Sequence, residues 1–105
     1  MLDKLCLILL IIIFSGFEER KSIEESIKKD IPYLKSLYLD IHKNPEISLM
    51  EKETSKKLAN ELEKIGFEVT RNFGGYGVVG IFKNGNGPTI LYRTDMDALP
   101  MKERT

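Results

Sequence analysis

The amino-acid sequence predicts an α/β fold in which a mixed sheet is flanked by helices. Apolar residues recur at helical spacing in residues 23–41 and again in residues 51–66. Three short strand-like runs follow, at residues 67–70, 77–82 and 89–92. An order of two helices, a strand and a hairpin is typical of a layered α/β architecture.

The first 20 residues have the organisation of a signal peptide. Lys4 gives the head of the chain a positive charge, residues 5–14 are uninterrupted apolar, and charged residues begin at Glu18. The apolar run is shorter than the roughly 20 residues that span a membrane, and it fits the hydrophobic region of a secretory signal. We therefore expect residues 1–20 to be a leader that directs export to the periplasm or the extracellular space. An uncleaved membrane anchor and a cytoplasmic protein are the alternatives.

The first helix is predicted by an apolar stripe that continues past a proline. The stripe consists of Ile23, Ile27, Ile31, Leu34, Leu37, Tyr38 and Ile41. Because proline lacks a backbone N–H and clashes with the preceding turn, Pro32 predicts a break or kink, with Asp30 as a cap for the second part. Asn44 precedes Pro45, which disfavours helical backbone and predicts the end of the helix.

The second helix carries the clearest local signals. Ser48 and Glu51 have the spacing of a capping box, and Gly66 supplies a left-handed stop. The stripe predicted to face the core is Thr54, Leu58, Leu62 and Ile65. The charged residues between these positions form a solvated surface, so we interpret this helix as scaffold.

The strand-like runs differ in how they meet solvent. Residues 67–70 alternate between apolar and polar, whereas residues 77–82 and 89–92 are more continuously apolar. Residues 83–88 contain two Asn-Gly pairs, which predict a turn between antiparallel strands. The glycine-rich residues 74–77 lack the Lys-Ser/Thr of a phosphate-binding loop and no helix follows them, so they also predict a turn.

Two carboxylates close the third predicted strand. Asp95 and Asp97 are two residues apart, so on a strand they point to the same side, roughly 6 to 7 Å apart. Such a pair is costly to ionise unless a cation or strong donors lie close, and strand ends are where α/β sheets place ligands. This favours a metal-centred hydrolytic site. The alternative is that both aspartates are solvated where the strand leaves the sheet.

Four blocks, at residues 38–46, 51–66, 74–80 and 93–100, together resemble the amino-terminal part of an M20-type metallo-amidohydrolase. The resemblance is to the branch that contains N-acyl-amino-acid amidohydrolases, hippurate hydrolases and hydrolases of auxin conjugates. It covers about residues 33 to 103. It implies that residues 21–105 are the amino-terminal portion of a zinc-peptidase-like catalytic domain. Members of this family are several times longer, so we expect this chain to be a fragment.

The resemblance also implies roles for the two aspartates. In the wider family the last strand of this portion ends in a His-x-Asp pair, in which the histidine binds metal and the aspartate supports the site. Asp95 takes the histidine position and Asp97 the aspartate position, so Asp97 and Asp95 are the candidate catalytic residues. Arg93 either neutralises this acidic corner or faces solvent. His42 and Glu46 are interpreted as structural.

The implied function is hydrolysis of the amide bond of an N-acyl amino acid or a peptide-like small molecule. The full-length enzyme is expected to use a divalent metal ion, zinc, manganese or cobalt, and the resemblance also allows a homodimer. The fragment alone is expected to be inactive, and no metal ligand is assigned within it, because a catalytic zinc needs three protein ligands. The alternative is a truncated binding or structural module that its leader could tether to a membrane.

Composition excludes some partners. Acidic and basic residues balance at 16 each with one histidine, so no basic face for nucleic acid is expected. The single cysteine, Cys6, offers no disulfide framework.

Overall fold

The computed structural model describes residues 4–102 and residue 104, and it confirms a mixed α/β fold. The elements are helix α1 (Lys4–Lys43), helix α2 (Lys52–Lys64), strand β1 (Glu68–Phe73) and strand β2 (Gly77–Ile81). The chain divides into two units, residues 1–39 and residues 40–105. The first unit consists of most of α1, and the second contains α2 and the sheet.

Helix α1 runs without interruption through Pro32. Of the two predicted alternatives, the break is therefore wrong, and Asp30 lies inside the helix and caps no second part. The segment before Pro32 is rich in lysine and glutamate, and the segment after it contains three leucines and two lysines. All three residue types favour helix and continue it across the one missing N–H. The predicted leader, from residue 4 onward, lies in the same helix. Among the described residues, no helix combines the length and apolarity that crossing a membrane requires.

The end of α1 falls where the sequence predicts it. The backbone N–H of Asn44 donates to the carbonyl of Ile41 at 3.1 Å, and the Asn44 side-chain amide donates to the carbonyl of Asp40 at 2.8 Å. These bonds satisfy carbonyls that the helix itself leaves without partners. The chain then leaves the helical path at Pro45.

Helix α2 buries a smaller and more polar face than the periodicity predicts. Thr54, Ser55 and Ala59 are buried. The predicted core residues Leu58 and Leu62 are half-buried. Ile65, predicted to face the core, is 65% exposed, because it is the residue at which the helix ends.

The carboxyl end of α2 confirms the glycine stop. Gly66 has a φ of 93°, a left-handed conformation that favours glycine. Its N–H donates to the carbonyl of Glu63, and the N–H of Phe67 donates to the carbonyl of Leu62, both at 3.0 Å. This pair of bonds is a Schellman motif.

Strands β1 and β2 form one antiparallel hairpin. Val69 pairs with Gly80 and Arg71 pairs with Val78, and an irregularity between Arg71 and Phe73 places Asn72 at a φ of 58°. Gly74 and Gly75 have positive φ values of 65° and 116°. The prediction that the glycine-rich loop is a turn is therefore confirmed.

The predicted third strand is wrong. Residues 89–92 belong to no strand, and residues 83–88 do not join two paired strands. Ile90, Leu91 and Tyr92 are 74%, 87% and 92% exposed. A strand needs a neighbour for its backbone groups, and among the described residues β2 pairs with β1 alone. The mixed sheet is thus a two-stranded antiparallel one here.

Helix α2 packs against the hairpin around Gly80. A side chain at this position would approach Leu62 and Phe67 to 3.1 Å, so glycine lets the helix lie close to β2. The rings of Phe67 and Phe82 add an aromatic contact, with centroids 5.3 Å apart. This small core joins the carboxyl end of α2 to the hairpin. The loop before α2 and the hairpin turn border the cleft described next.

Candidate functional site

An open cleft of about 240 Å³ brings together three parts of the second unit. They are the loop that precedes α2, the turn of the hairpin, and the segment that follows residue 93. The lining residues are Ser48, Leu49, Glu51, Phe73, Gly74, Tyr76, Gly77, Thr94, Asp95, Met96 and Asp97. Both predicted catalytic residues therefore border one cleft, although the strand that was expected to carry them is not formed.

Asp95 is held by a short local contact. The Arg93 guanidinium donates to the Asp95 carboxylate at 3.0 Å, with the two side chains 83% and 74% exposed. An ion pair this open to water contributes little to stability. Of the two alternatives for Arg93, the structure shows elements of both, since the side chain pairs with the acid and still faces solvent.

Asp97 differs from Asp95 in having a free side chain and an anchored backbone. Within the described residues, its exposed carboxylate makes no hydrogen bond or ion pair. The next residue, Ala98, donates its backbone N–H to the carbonyl of Glu46 at 2.8 Å. The position of Asp97 is thereby set from the backbone, which leaves the carboxylate available to an incoming group.

Glu46 caps helix α2. One of its carboxylate oxygens accepts the backbone N–H of Glu53 at 3.1 Å, and the other accepts that of Thr54 at 2.6 Å. The N–H of Thr54 is the largest cause that holds the pKa of the Glu46 carboxyl below its ordinary value. Burial opposes this shift, while the N–H of Glu53, the Thr54 hydroxyl and the charge of Lys57 support it.

The capping box predicted from Ser48 and Glu51 is wrong. Glu51 occupies the cap position without a side-chain bond to the helix, and its carboxylate instead accepts the N–H of Leu49 at 2.9 Å. Leu49 has a φ of 68°, which turns the loop away from the box geometry. The interpretation of Glu46 as structural holds, but its role at α2 was missed, because it lies well before the helix and outside the spacing of a capping box.

The cleft residues do not by themselves fit a bound metal ion. Across residues 4–102 and 104, no three histidine, cysteine, aspartate or glutamate side chains converge closely enough to hold one. His42 lies in the last turn of α1 and does not line the cleft. The described part of the chain therefore offers carboxylates at one edge of a site and not a complete ligand set.

Comparison with known proteins finds relatives among hydrolases. The chain is 47% identical over 66 residues to hippurate hydrolase of Campylobacter jejuni, covering 62% of this chain and 17% of that protein. It is 43% identical over 63 residues to IAA-amino acid hydrolase ILR1-like 5 of Arabidopsis thaliana, covering 60% and 14%. It is 40% identical over 85 residues to thermostable carboxypeptidase 2 of Saccharolobus solfataricus, covering 75% and 22%.

These relatives confirm the resemblance that the four sequence blocks predict. The chain spans 14% to 22% of the length of these three curated relatives. No family model matches the chain, and no solved structure matches it.

Proposed function

We propose that this chain, whose curated relatives are M20-family hydrolases, supplies one part of a hydrolase that cleaves the amide bond of an N-acyl amino acid. The observation that carries the proposal is the agreement among the relatives. Two are named for the hydrolysis of hippurate and of IAA-amino acid, and the third is named a carboxypeptidase. The cleft with its two aspartates is the part of the described structure that the proposal uses.

The proposal gives the two aspartates different work. Asp97, with its anchored backbone and free carboxylate, orients a group of the site and keeps that group basic, as carboxylates beside metal ligands do. Asp95 lies at the same cleft and is already paired with Arg93, so it adds negative charge near the site.

A divalent ion, zinc, manganese or cobalt, is part of the proposal for a protein of the relatives' length. When bound, such an ion polarises the carbonyl and lowers the pKa of the attacking water. Because the described residues do not make a complete ligand set, the proposal assigns no metal ligand within this chain. A homodimer of that longer protein is likewise a proposal, tested by sedimentation.

A chimera tests the function. Residues 33–103 of this chain would replace the matching segment of the Campylobacter hippurate hydrolase, to which the chain is 47% identical over 66 residues. We expect the chimera to hydrolyse hippurate with added zinc, manganese or cobalt, and the 105-residue chain alone to show no turnover. A folded chimera without activity would contradict the proposal and favour the non-catalytic module.

The same chimera tests the residue assignment. We expect Asp97→Ala to lower kcat by about 10- to 100-fold, the usual cost of losing a carboxylate that supports metal ligands. Glu68→Ala is the matched control, because Glu68 is an exposed acid paired only with the exposed Lys83. Full activity of the Asp97→Ala chimera would contradict the role assigned to Asp97.

Export is a separate proposal. We expect residues 1–20, fused to a reporter enzyme that is active only outside the cytoplasm, to export the reporter and so give activity. Replacing Ile12 and Ile13 by lysine interrupts the apolar run and should abolish the signal. A reporter that stays inactive with the unaltered leader would favour the cytoplasmic alternative.

A further inference from the structure

We propose that Glu46 is a positioning residue, which ties the segment that carries Asp97 to the amino end of helix α2. The structural part of this inference concerns the described chain alone. Its consequence for catalysis rests on the proposed function. The argument has two parts, one for the side chain of Glu46 and one for its backbone.

The side chain of Glu46 fixes this residue to the helix. Its two carboxylate oxygens accept the N–H groups of Glu53 and Thr54, at 3.1 and 2.6 Å. These are amides that a helix cannot satisfy internally, and the positive end of the helix dipole favours a carboxylate there. Thr54 is 4% exposed, so this end of the contact belongs to the packed core.

The backbone of Glu46 holds the segment that follows the hairpin. The N–H of Ala98 donates to the Glu46 carbonyl at 2.8 Å. Within the described residues, this is the only backbone hydrogen bond that joins residues 89–102 to the rest of the second unit. Asp97 is adjacent to Ala98 in sequence, so this bond fixes the backbone from which the Asp97 side chain projects.

The side-chain and backbone hydrogen bonds of Glu46 together connect helix α2 to the segment that carries Asp97. The helix holds the Glu46 side chain, Glu46 holds Ala98, and Ala98 fixes the backbone beside the free carboxylate of Asp97. The contact between Arg93 and Asp95 cannot replace this connection, because it is local to the segment itself. Removing the Glu46 carboxylate should therefore loosen Asp97 without touching it.

Amide hydrogen exchange of the 105-residue chain tests the connection directly. We expect Glu46→Ala to speed exchange at the Ala98 amide by about tenfold, as the loss of one supporting hydrogen bond allows. Glu46→Gln keeps an acceptor oxygen and should restore most of the protection. This rescue distinguishes positioning by hydrogen bonds from a simple loss of packing.

Glu53→Ala is the matched control. It removes a negative charge from the first turn of the same helix, and within the described residues its exposed side chain makes no hydrogen bond. We expect exchange at Ala98 to stay within about twofold of the parent chain. Unchanged exchange at Ala98 in Glu46→Ala, or an unprotected Ala98 amide in the parent chain, would overturn the inference.

The hippurate hydrolase chimera supplies the catalytic readout. Glu46→Ala should lower kcat with little change in KM, and Glu46→Gln should recover most of kcat. If Glu46→Ala unfolds the protein, the Glu46→Gln variant carries the test, with an exchange rate at Ala98 expected between those of the parent and of an unprotected amide. An inactive parent chimera would contradict the proposed function and leave the exchange result unaffected. Unaltered exchange at Ala98 in an active chimera would contradict only the positioning role of Glu46.

Discussion

The negative charge on the Glu46 carboxylate adds to the stability of the second unit. The N–H of Thr54 is the main cause that lowers its pKa, so the folded chain binds a proton at this group less readily than the unfolded chain does. The contribution to the free energy of unfolding is therefore complete above the ordinary glutamate pKa and is lost as pH falls through the lowered one.

Urea unfolding of the parent chain and of Glu46→Gln, measured between neutral and acidic pH, tests this expectation. The difference in free energy of unfolding should be largest at neutral pH and should shrink as the solution is acidified. Glu53→Gln is the control and should show a smaller pH-dependent difference. A difference for Glu46→Gln that does not change with pH would contradict the assignment of the carboxylate as the cap.

Gly77 gives a second prediction at the level of one residue. A methyl group here would collide with the backbone carbonyl of Phe73, its partner residue beside the hairpin turn. Backbone atoms cannot move aside as a flexible side chain can, so Gly77→Ala should lower the free energy of unfolding by about 1 to 3 kcal/mol. Gly87→Ala, where a methyl group meets open space, should change it by less than about 0.5 kcal/mol. Equal effects of the two changes in thermal unfolding would contradict this reading of the turn.

Helix α1 carries its own penalty at Pro32. Proline in a helix interior costs about 3 kcal/mol relative to alanine, so Pro32→Ala should raise the helical signal in circular dichroism and the temperature at which that signal is lost. Ser36→Ala, at an exposed position in the same helix, is the control and should gain no more than about 0.5 kcal/mol. No gain from Pro32→Ala would indicate that the chain is not helical on both sides of the proline.

The elements show which kinds of structure the sequence predicts. The end of α1 at Asn44 and the stop of α2 at Gly66 depend on the residues themselves, and both predictions are confirmed. The break that was one alternative at Pro32 does not form, because the preferences of the residues beside Pro32 outweigh one lost bond.

The third predicted strand failed for a different reason. The apolar pattern at residues 89–92 favours a strand, but a strand also needs a partner, which a local pattern does not specify. The same limit applies to the candidate site. The spacing of Asp95 and Asp97 predicted a shared side of a strand that does not form, although both residues line one cleft. The bond between Glu46 and Ala98 joins distant parts of the sequence and leaves no local pattern.

For the molecule as a whole, the small core predicts exposed apolar surface and self-association. Ala59 is the one apolar residue that is buried among the described residues, and Leu91 and Tyr92 are 87% and 92% exposed. Adjacent exposed apolar side chains are a site for association. The 105-residue chain should therefore form oligomers at raised concentration and bind a hydrophobic dye.

Leu91→Lys should shift sedimentation of the chain toward the monomer and reduce dye binding. Met101→Lys is the matched control, because Met101 is 76% exposed but lies outside the run at residues 89–92. Equal effects of the two substitutions on sedimentation and dye binding would show that added charge, and not loss of the apolar run, causes the change.

The loop between Glu46 and α2 has a consequence for sequence drift. The carboxylate of Glu46 must reach forward to the first turn of α2, so the number of residues between Glu46 and Lys52 is constrained. A change in that number would also move the carbonyl that accepts the Ala98 N–H. Leu49 and Met50 are exposed, so exchanges of their side chains have little to disturb. Insertions and deletions in this loop should therefore be far less tolerated than point substitutions. In a scan of loop variants, those of altered length should lose more stability than those with exchanged side chains.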